Sequence, residues 1–454
     1  MARGAWTRSA LPAAGLLVLL SSTAQATSLN EALAAAYAGN PTLDARRAEL
    51  RAVDEGVPQA LSGWRPTIEG RAQGGHEWDN LNEPISRDRE FWPRSYGVAV
   101  RQPIFEGFRT VAATAQAEHL VQAGRFRLLD TEQVVLLDAV AAYMAVVRDE
   151  AVLQLNINNE KVLTAQLEAT RNRFEAGELT RTDVAQAEAR LQGATASRIQ
   201  AEGQLTASRA VYRQVIGEEP TNVEMPGTAL ELPASRGEAV ALSENATTVR
   251  AAEFEERAAK DEIDVQFSDL LPTVSVEAAY ERQEDLGLED SEADVGSIIG
   301  QVVIPLYQAG EPDSRVRQSK QRYMQSRRLT SEARRAAERE AATAWQVLET
   351  AIAQTQSFTE QVRANELALE GVRQEQEVGA RTILDILDAE QETLNSRVSL
   401  VASETDRVVA SYRLLASIGA LTAANLELDV EYYDPTEHYR AVRNKLIGTG
   451  PSLD

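Results

Sequence analysis

The stretch QPIFEG, Gln102 to Gly107, returns as IPLYQAG at Ile304 to Gly310, which sets Pro103 and Pro305 at an offset of 202 residues. The same offset carries Tyr143 onto Trp345, Gly177 onto Gly379, Thr180 onto Thr382, Asp183 onto Asp385 and Gly217 onto Gly419. An offset that holds over so long a span without a gap marks an internal duplication, and a repeat constrains the architecture before any local propensity does. Upstream, LSGWRPTIEG at Leu61 to Gly70 resembles LLPTVSVEA at Leu270 to Ala278 with a slightly different offset. The chain therefore divides into a first repeat over 27–217, an acidic, proline-containing connector over 218–236, a second repeat over 237–424 and a C-terminal tail over 425–454.

Composition narrows what such a duplicated chain does. Its formal charge of −23 does not suit a nucleic-acid partner, whose phosphates need a basic surface. Arg3 and Arg8 precede an apolar run from Ala10 to Leu20 and the small residues Ala24-Gln25-Ala26, the pattern of a secretory signal peptide over 1–26. Removing it takes two arginines and no acid, so the mature charge becomes −25. No cysteine occurs, which excludes disulfides, thiol catalysis and a lipid-modified N-terminal cysteine. The three histidines, His76, His119 and His438, are scattered without ligand spacing, so no metal or other cofactor is expected. With no nucleophile and base pair and no phosphate loop, the chain does not read as an enzyme. No run of 18 apolar residues follows the signal peptide, so a membrane span has to be a β-barrel.

Each repeat alternates long helix with short strand, an α+β pattern. Arg109 to Arg173 and Ser314 to Gln376 lack proline, are rich in alanine and glutamate and predict helices of roughly 100 Å at 1.5 Å per residue. Ala341, Trp345, Leu348, Ile352, Val362 and Leu369 trace a coiled-coil seam, with Tyr143, Val146, Leu153, Ile157 and Leu167 in the equivalent register. Shorter return helices are expected over Asp183 to Val215 and Asp385 to Ile418. Helices are also expected over Leu29 to Ala60 and Gly237 to Phe267, and stacked end to end with the return helices they would match one long helix.

Thr67 to Gly75, Ser95 to Gln102, Thr273 to Arg282 and Ser297 to Ile304 alternate apolar and polar residues over about ten positions, the span of a tilted strand across a bilayer. Trp64, Trp78, Phe91, Trp92, Tyr96, Phe105 and Tyr307 lie near strand ends, where interface aromatics are expected. The intervening loops, Glu77 to Arg94 and Glu284 to Val295, are polar and suit an extracellular mouth. Two hairpins cannot close a barrel, so the subunits must share one.

These features together resemble the TolC family of outer-membrane channel-tunnels: NPTL in the N-terminal helix, LPT, QPIF and IPLYQAG at strand-to-helix junctions, and VGARTILDILDAEQ at Val378 to Gln391. The resemblance covers nearly the whole mature chain. It implies a homotrimer in the outer membrane of a Gram-negative bacterium, with a twelve-stranded barrel continuing into an α-helical tunnel through the periplasm. It implies no enzymatic activity, and cargo (secreted proteins or small toxic compounds) delivered by a periplasmic adaptor and an inner-membrane pump or ABC transporter. From residue patterns alone, a soluble periplasmic coiled-coil scaffold is the alternative.

Candidate functional residues cluster where each long helix turns back. AGELTRTDVAQAEA at Ala176 to Ala189 matches VGARTILDILDAEQ, and in each the glycine ends one helix while Thr-x-x-Asp has the spacing of a capping box for the next. Asp183 and Asp385 are thus explained as caps. Asp388 has no such explanation: Gln186 stands at its position in the first repeat, and it shares a helix face with Asp385. As residue chemistry it is either a solvated charge or part of a ring. The resemblance implies the ring, with Asp385 and Asp388 forming a cation-attracting constriction. It also implies that Arg381, which replaces Leu179 of the first copy, bonds Asp183 to hold the entrance shut. Gln376 stands where the family has a tyrosine in that lock. The tips Ala176, Gly177, Glu178, Leu179, Val378, Gly379 and Ala380 are the implied adaptor-docking surface.

Overall fold

The computed structural model describes residues 28–81, 87–227, 230–285 and 290–450; the expected signal peptide lies outside the described residues, as do residues 82–86 and 286–289 of the two strand loops. The two long helices are α4, Arg109–Glu175, and α8, Glu311–Glu377, each of 67 residues and displaced by the offset of 202. The return helices are α5, Arg181–Ile216, and α9, Ile383–Ser417. Strand-to-helix corners also superpose along the chain: Gly107 and Phe108 precede α4, Ala309 and Gly310 precede α8, and all four residues have left-handed φ between 53° and 76°.

The seam runs through smaller residues than the sequence suggests. Ala341 and Leu348 are buried as expected, but Ile352 is 49% exposed and its neighbour Ala351 is 5% exposed. Side-by-side helices without a thick core approach closely, so alanine and threonine (Ala337, Ala344, Ala351, Thr355) occupy the contact while the bulkier apolar residue sits beside it.

The N-terminal helix is not continuous. Leu29–Gly39 forms α1, Pro41–Asp54 forms α2 and Gly56–Leu61 forms α3. Asn40 makes the break: its Oδ1 accepts from Thr42 N–H at 2.9 Å, capping α2, and its Nδ2 donates to Val215 O at 3.0 Å, meeting a carbonyl in the last turn of α5. Pro41 takes the first helical position, where its missing N–H costs nothing. The element continuing the α5 rod is thus α2, and α1 folds aside. The second predicted helix divides likewise into α6, Arg236–Leu242, and α7, Thr247–Phe267. Here the end of α9 abuts the start of α7, since a Cβ on Gly419 would lie 2.9 Å from Asn245 O. Thr247 at that start donates to Asp130 of α4 at 2.8 Å.

At the far end lie β1 (Thr67–Gly74), β4 (Arg94–Glu106), β5 (Thr273–Glu284) and β6 (Glu292–Val303), antiparallel in the order β1-β4-β5-β6. Register aligns Ile68, Val100, Ala278 and Ile298 across the sheet, with Gly70, Val98, Tyr280 and Gly296 as the next row of that face. The opposite face carries Glu69, Arg71, Arg101 and Glu277, with an Arg71 to Glu69 ion pair. Ile68 is 71% exposed and Ile298 81%. That exposed apolar face is what a barrel turns to lipid. Part of the first polar loop is itself strand: β2 (Glu77–Leu81) pairs with β3 (Arg87–Phe91), with Trp78 in register with Glu90.

The connector and the tail are stapled to α4 midway along its length, where α1, α2 and the ends of α5 and α9 form the main core. Tyr143, fully buried, donates its hydroxyl to Glu224 O at 2.9 Å and accepts from Glu224 N–H at 3.1 Å. Buried Glu132 accepts from Ala423 N–H at 2.7 Å. Further along, the tail forms α10, Glu437–Val442, whose His438 contacts buried Asp54 of α2 at 3.1 Å.

Burial pushes the Glu132 carboxyl above its usual range, with the Ala423 N–H and Arg47 opposing. An acid raised on folding favours the protonated form, so stability falls as pH rises from the ordinary carboxylate value through the folded one. Glu132→Gln keeps the acceptor and deletes the charge. Its thermal midpoint, followed by circular dichroism, is expected above wild type at about pH 8, with the gap closing as pH is lowered. Glu132→Ala, which orphans the Ala423 N–H, is expected to cost about 1–3 kcal/mol.

Candidate functional site

The two turns lie at the end of the helical layer opposite the sheet and are built alike. Gly177 (φ 81°) and Gly379 (φ 78°) take the left-handed conformation that only glycine adopts without strain. Glu178 N–H bonds Arg173 O and Gly177 N–H bonds Phe174 O; Ala380 to Glu375 and Gly379 to Gln376 repeat the pair. These are the two bonds of a Schellman stop. Three residues later Thr180 and Thr382 cap the return helices. Asp183 Oδ2 accepts from Thr180 N–H and Oγ1 at 2.9 and 2.7 Å, and Asp385 Oδ2 from Thr382 at 2.8 and 2.7 Å. Hydrogen bonds from the Thr180 backbone and hydroxyl hold Asp183 below the usual carboxylate range; the Thr382 hydroxyl and backbone, then Arg381, do so for Asp385. Both capping boxes are complete.

The copies diverge just beyond the cap. Where α5 begins RTDVAQAE, α9 begins ILDILDAE, and Ile383, Ile386 and Leu387 are buried. Leu387, 2% exposed, packs with Leu163, Leu191 and Ala194 of the α4–α5 hairpin. Beside it Arg190 Nη2 donates to Asp388 Oδ1 at 2.6 Å, an ion pair between α5 and α9. Glu390, 8% exposed, pairs with Arg373 of α8, repeating the Arg171 to Glu188 pair of the first hairpin.

Arg381 does not meet Asp183 within the chain. Its Nε donates to Glu375 Oε2 at 2.8 Å, and its Nη1 lies 4.0 Å from Asp385 Oδ1, so it turns back onto its own hairpin. Of the sequence-derived residues, Asp385 and Asp388 thus sit one turn apart on α9, while Asp183 keeps to the α5 cap. The tips Ala176, Gly177, Glu178, Val378, Gly379 and Ala380 are exposed, Val378 to 80%, with Leu179 half-buried among them. Leu387 and Arg190 were not singled out from sequence. The signal was available for both: the first repeat has Ala185 in place of Leu387, and the second has Glu392 in place of Arg190. Among the described residues no group of carboxylates and histidines is placed to hold a metal ion. No helix of the described residues is long and apolar enough to cross a membrane.

A lipid-type sheet open at both edges, carried on a helical layer roughly 100 Å long that ends in two capped turns, defines the subunit of an outer-membrane channel reaching into the periplasm. The chain belongs to the outer membrane efflux protein family, whose model matches residues 32–218 and 240–420. It is 34% identical over 433 residues to the outer membrane efflux protein BepC of Brucella suis biovar 1, covering 95% of this chain and 94% of that protein. It is 26% identical to the outer membrane protein TolC of Vibrio cholerae serotype O1 over 417 residues, 89% of this chain and 93% of that protein. Among solved structures, the Campylobacter jejuni CmeC outer membrane channel shares the fold with a TM-score of 0.79 over 92% of this chain and 89% of that one, at 13% identity. The protein is an outer-membrane exit duct of a Gram-negative bacterium, spanning that membrane and the periplasm. The soluble-scaffold alternative falls with that assignment.

The capping carboxylates carry a pH signature. A depressed acid contributes above its ordinary value and loses that contribution as pH falls through the folded value. Amide protection factors in the first turns of α5 and α9, taken relative to intrinsic exchange at each pH, are expected to fall below roughly pH 4. Thr382→Ala is expected to lower them about five-fold in α9 alone at neutral pH.

Proposed function

We propose that the protein works as a passive homotrimeric duct of a tripartite export system, closed at its helical turns, with the exposed tips receiving a periplasmic adaptor that links it to an inner-membrane pump or ABC transporter. The observation that carries this reading is the polarity of the subunit: the sheet and the turns occupy opposite ends of two unbroken 67-residue helices. Three four-stranded sheets joined edge to edge give a twelve-stranded barrel without open edges. The duct performs no chemistry of its own. Crosslinking in membranes followed by co-purification is expected to recover an adaptor and a pump with the trimer, and recovery of the trimer alone would count against the tripartite assignment.

In this reading Asp385 and Asp388 ring the closed end, and carboxylates brought close around an axis favour cations. Replacing both, Asp385→Ala with Asp388→Ala, is expected to lower cation selectivity in planar bilayers; unchanged reversal potentials would remove the ring. Arg381, half exposed, is then the residue that reaches across a subunit boundary to Asp183. One such exposed pair is worth under about 1 kcal/mol, but three act together on one gate. Arg381→Ser is expected to raise single-channel conductance, and an unaltered conductance would leave Arg381 as a tie to Glu375 only.

A further inference from the structure

Asp388 is already paired within its own subunit. Its Oδ1 receives Arg190 Nη2 at 2.6 Å, and the nearby charges have partners of their own: Glu188 with Arg171, Glu390 with Arg373, and Arg381 with Glu375. Among the described residues Asp388 has no other ion-pair partner than Arg190, and Arg190 none other than Asp388. The pair is peculiar to one side of the duplication. At the offset of 202, Gln186 matches Asp388 and Glu392 matches Arg190, so the mirror-related contact would set an amide against a carboxylate. Both positions thus differ between the two copies, and only one copy sets a cation against a carboxylate. Leu387, buried against Leu163, Leu191 and Ala194, fixes the helices from which the two side chains spring, so the contact does not depend on two long side chains finding each other in solvent.

We infer that Arg190 is a selectivity-determining residue of the duct: it neutralises Asp388, leaving Asp385 as the net negative charge that each subunit contributes to the constriction. The inference rests on the reading of Asp385 and Asp388 as that constriction. Asp385 is not cancelled to the same degree, because Arg381 is bonded to Glu375 and stands 4.0 Å from Asp385. At separations larger than the pair itself, an ion passing near Arg190 and Asp388 meets a dipole whose field falls off faster than that of a free carboxylate. Asp388 thus acts mainly as a tie between the two return helices.

Reversal potentials in a KCl gradient across planar bilayers test this on the purified trimer. Arg190→Gln releases a free carboxylate at each Asp388 and is expected to raise the potassium-to-chloride permeability ratio about two-fold or more. Asp388→Asn strands an arginine and is expected to lower the ratio below that of wild type. The charge swap Arg190→Asp with Asp388→Arg is expected to restore both the wild-type ratio and the wild-type conductance. An unchanged ratio in Arg190→Gln, with a reduced one in Asp388→Asn, would overturn the neutralisation while keeping the constriction. Unchanged ratios in Asp385→Asn and Asp388→Asn would overturn the constriction and this inference with it. Trimer mobility on unheated gels shows which variants assemble; if Arg190→Gln does not, the swap variant decides, and a swap that assembles without restoring the wild-type ratio overturns the pairing.

Discussion

Everything in this subunit follows from the need to cover a helix of 67 residues along its whole length. Such a helix has one apolar stripe, and its stability comes from packing that stripe rather than from propensity. No single returning segment is long enough, so the cover is assembled from two. The joints between them are where the architecture is most exposed to failure, because a helix end leaves unpaired carbonyls on one side and unpaired amides on the other. Asn40 resolves one joint with a single side chain, accepting from α2 and donating to α5. At the other, Asp130 and Gln133 of the long helix itself hold Thr247 at the start of α7.

Much of this was legible in the sequence, for identifiable reasons. The duplication shows because glycine stops and threonine caps impose fixed chemistry at fixed spacing, and the ends of both long helices obey the offset of 202. Alternation in the strands shows because a bilayer-facing row excludes charge. The break at Asn40 is hidden in the sequence although NPTL is visible, since asparagine before proline is as compatible with a loop as with the start of a new helix. Residue size alone points the seam through Ile352, whereas close helix contact favours the smaller Ala351. The difference between Arg190 and Glu392 is visible in the two copies, but that Arg190 meets Asp388 depends on which two helices become neighbours, and that is a tertiary fact.

The middle of the molecule combines two kinds of fastening. Tyr143 and Glu132 attach the connector and the end of the second repeat to α4 by bonds to their backbone, which is independent of the sequence attached. The turn end relies instead on side chains: the Leu387 contact and the ion pair beside it. Backbone fastenings in a packed core are lost only on unfolding, while a half-exposed ion pair next to a small apolar contact opens locally at little cost. Rigidity at mid-length and compliance at the tips are therefore written into the type of bond used.

The unpaired outer strands β1 and β6 have a further consequence, which concerns time rather than shape. In the bilayer interior an unbonded strand edge has no water to satisfy it, so a lone subunit cannot rest there. Before assembly the same edges are templates for indiscriminate pairing. Insertion must accordingly wait for encounter between subunits, and its rate should climb with subunit concentration more steeply than the first power. Until that encounter the exposed edges of β1 and β6 are the part of the chain most prone to wrong pairing.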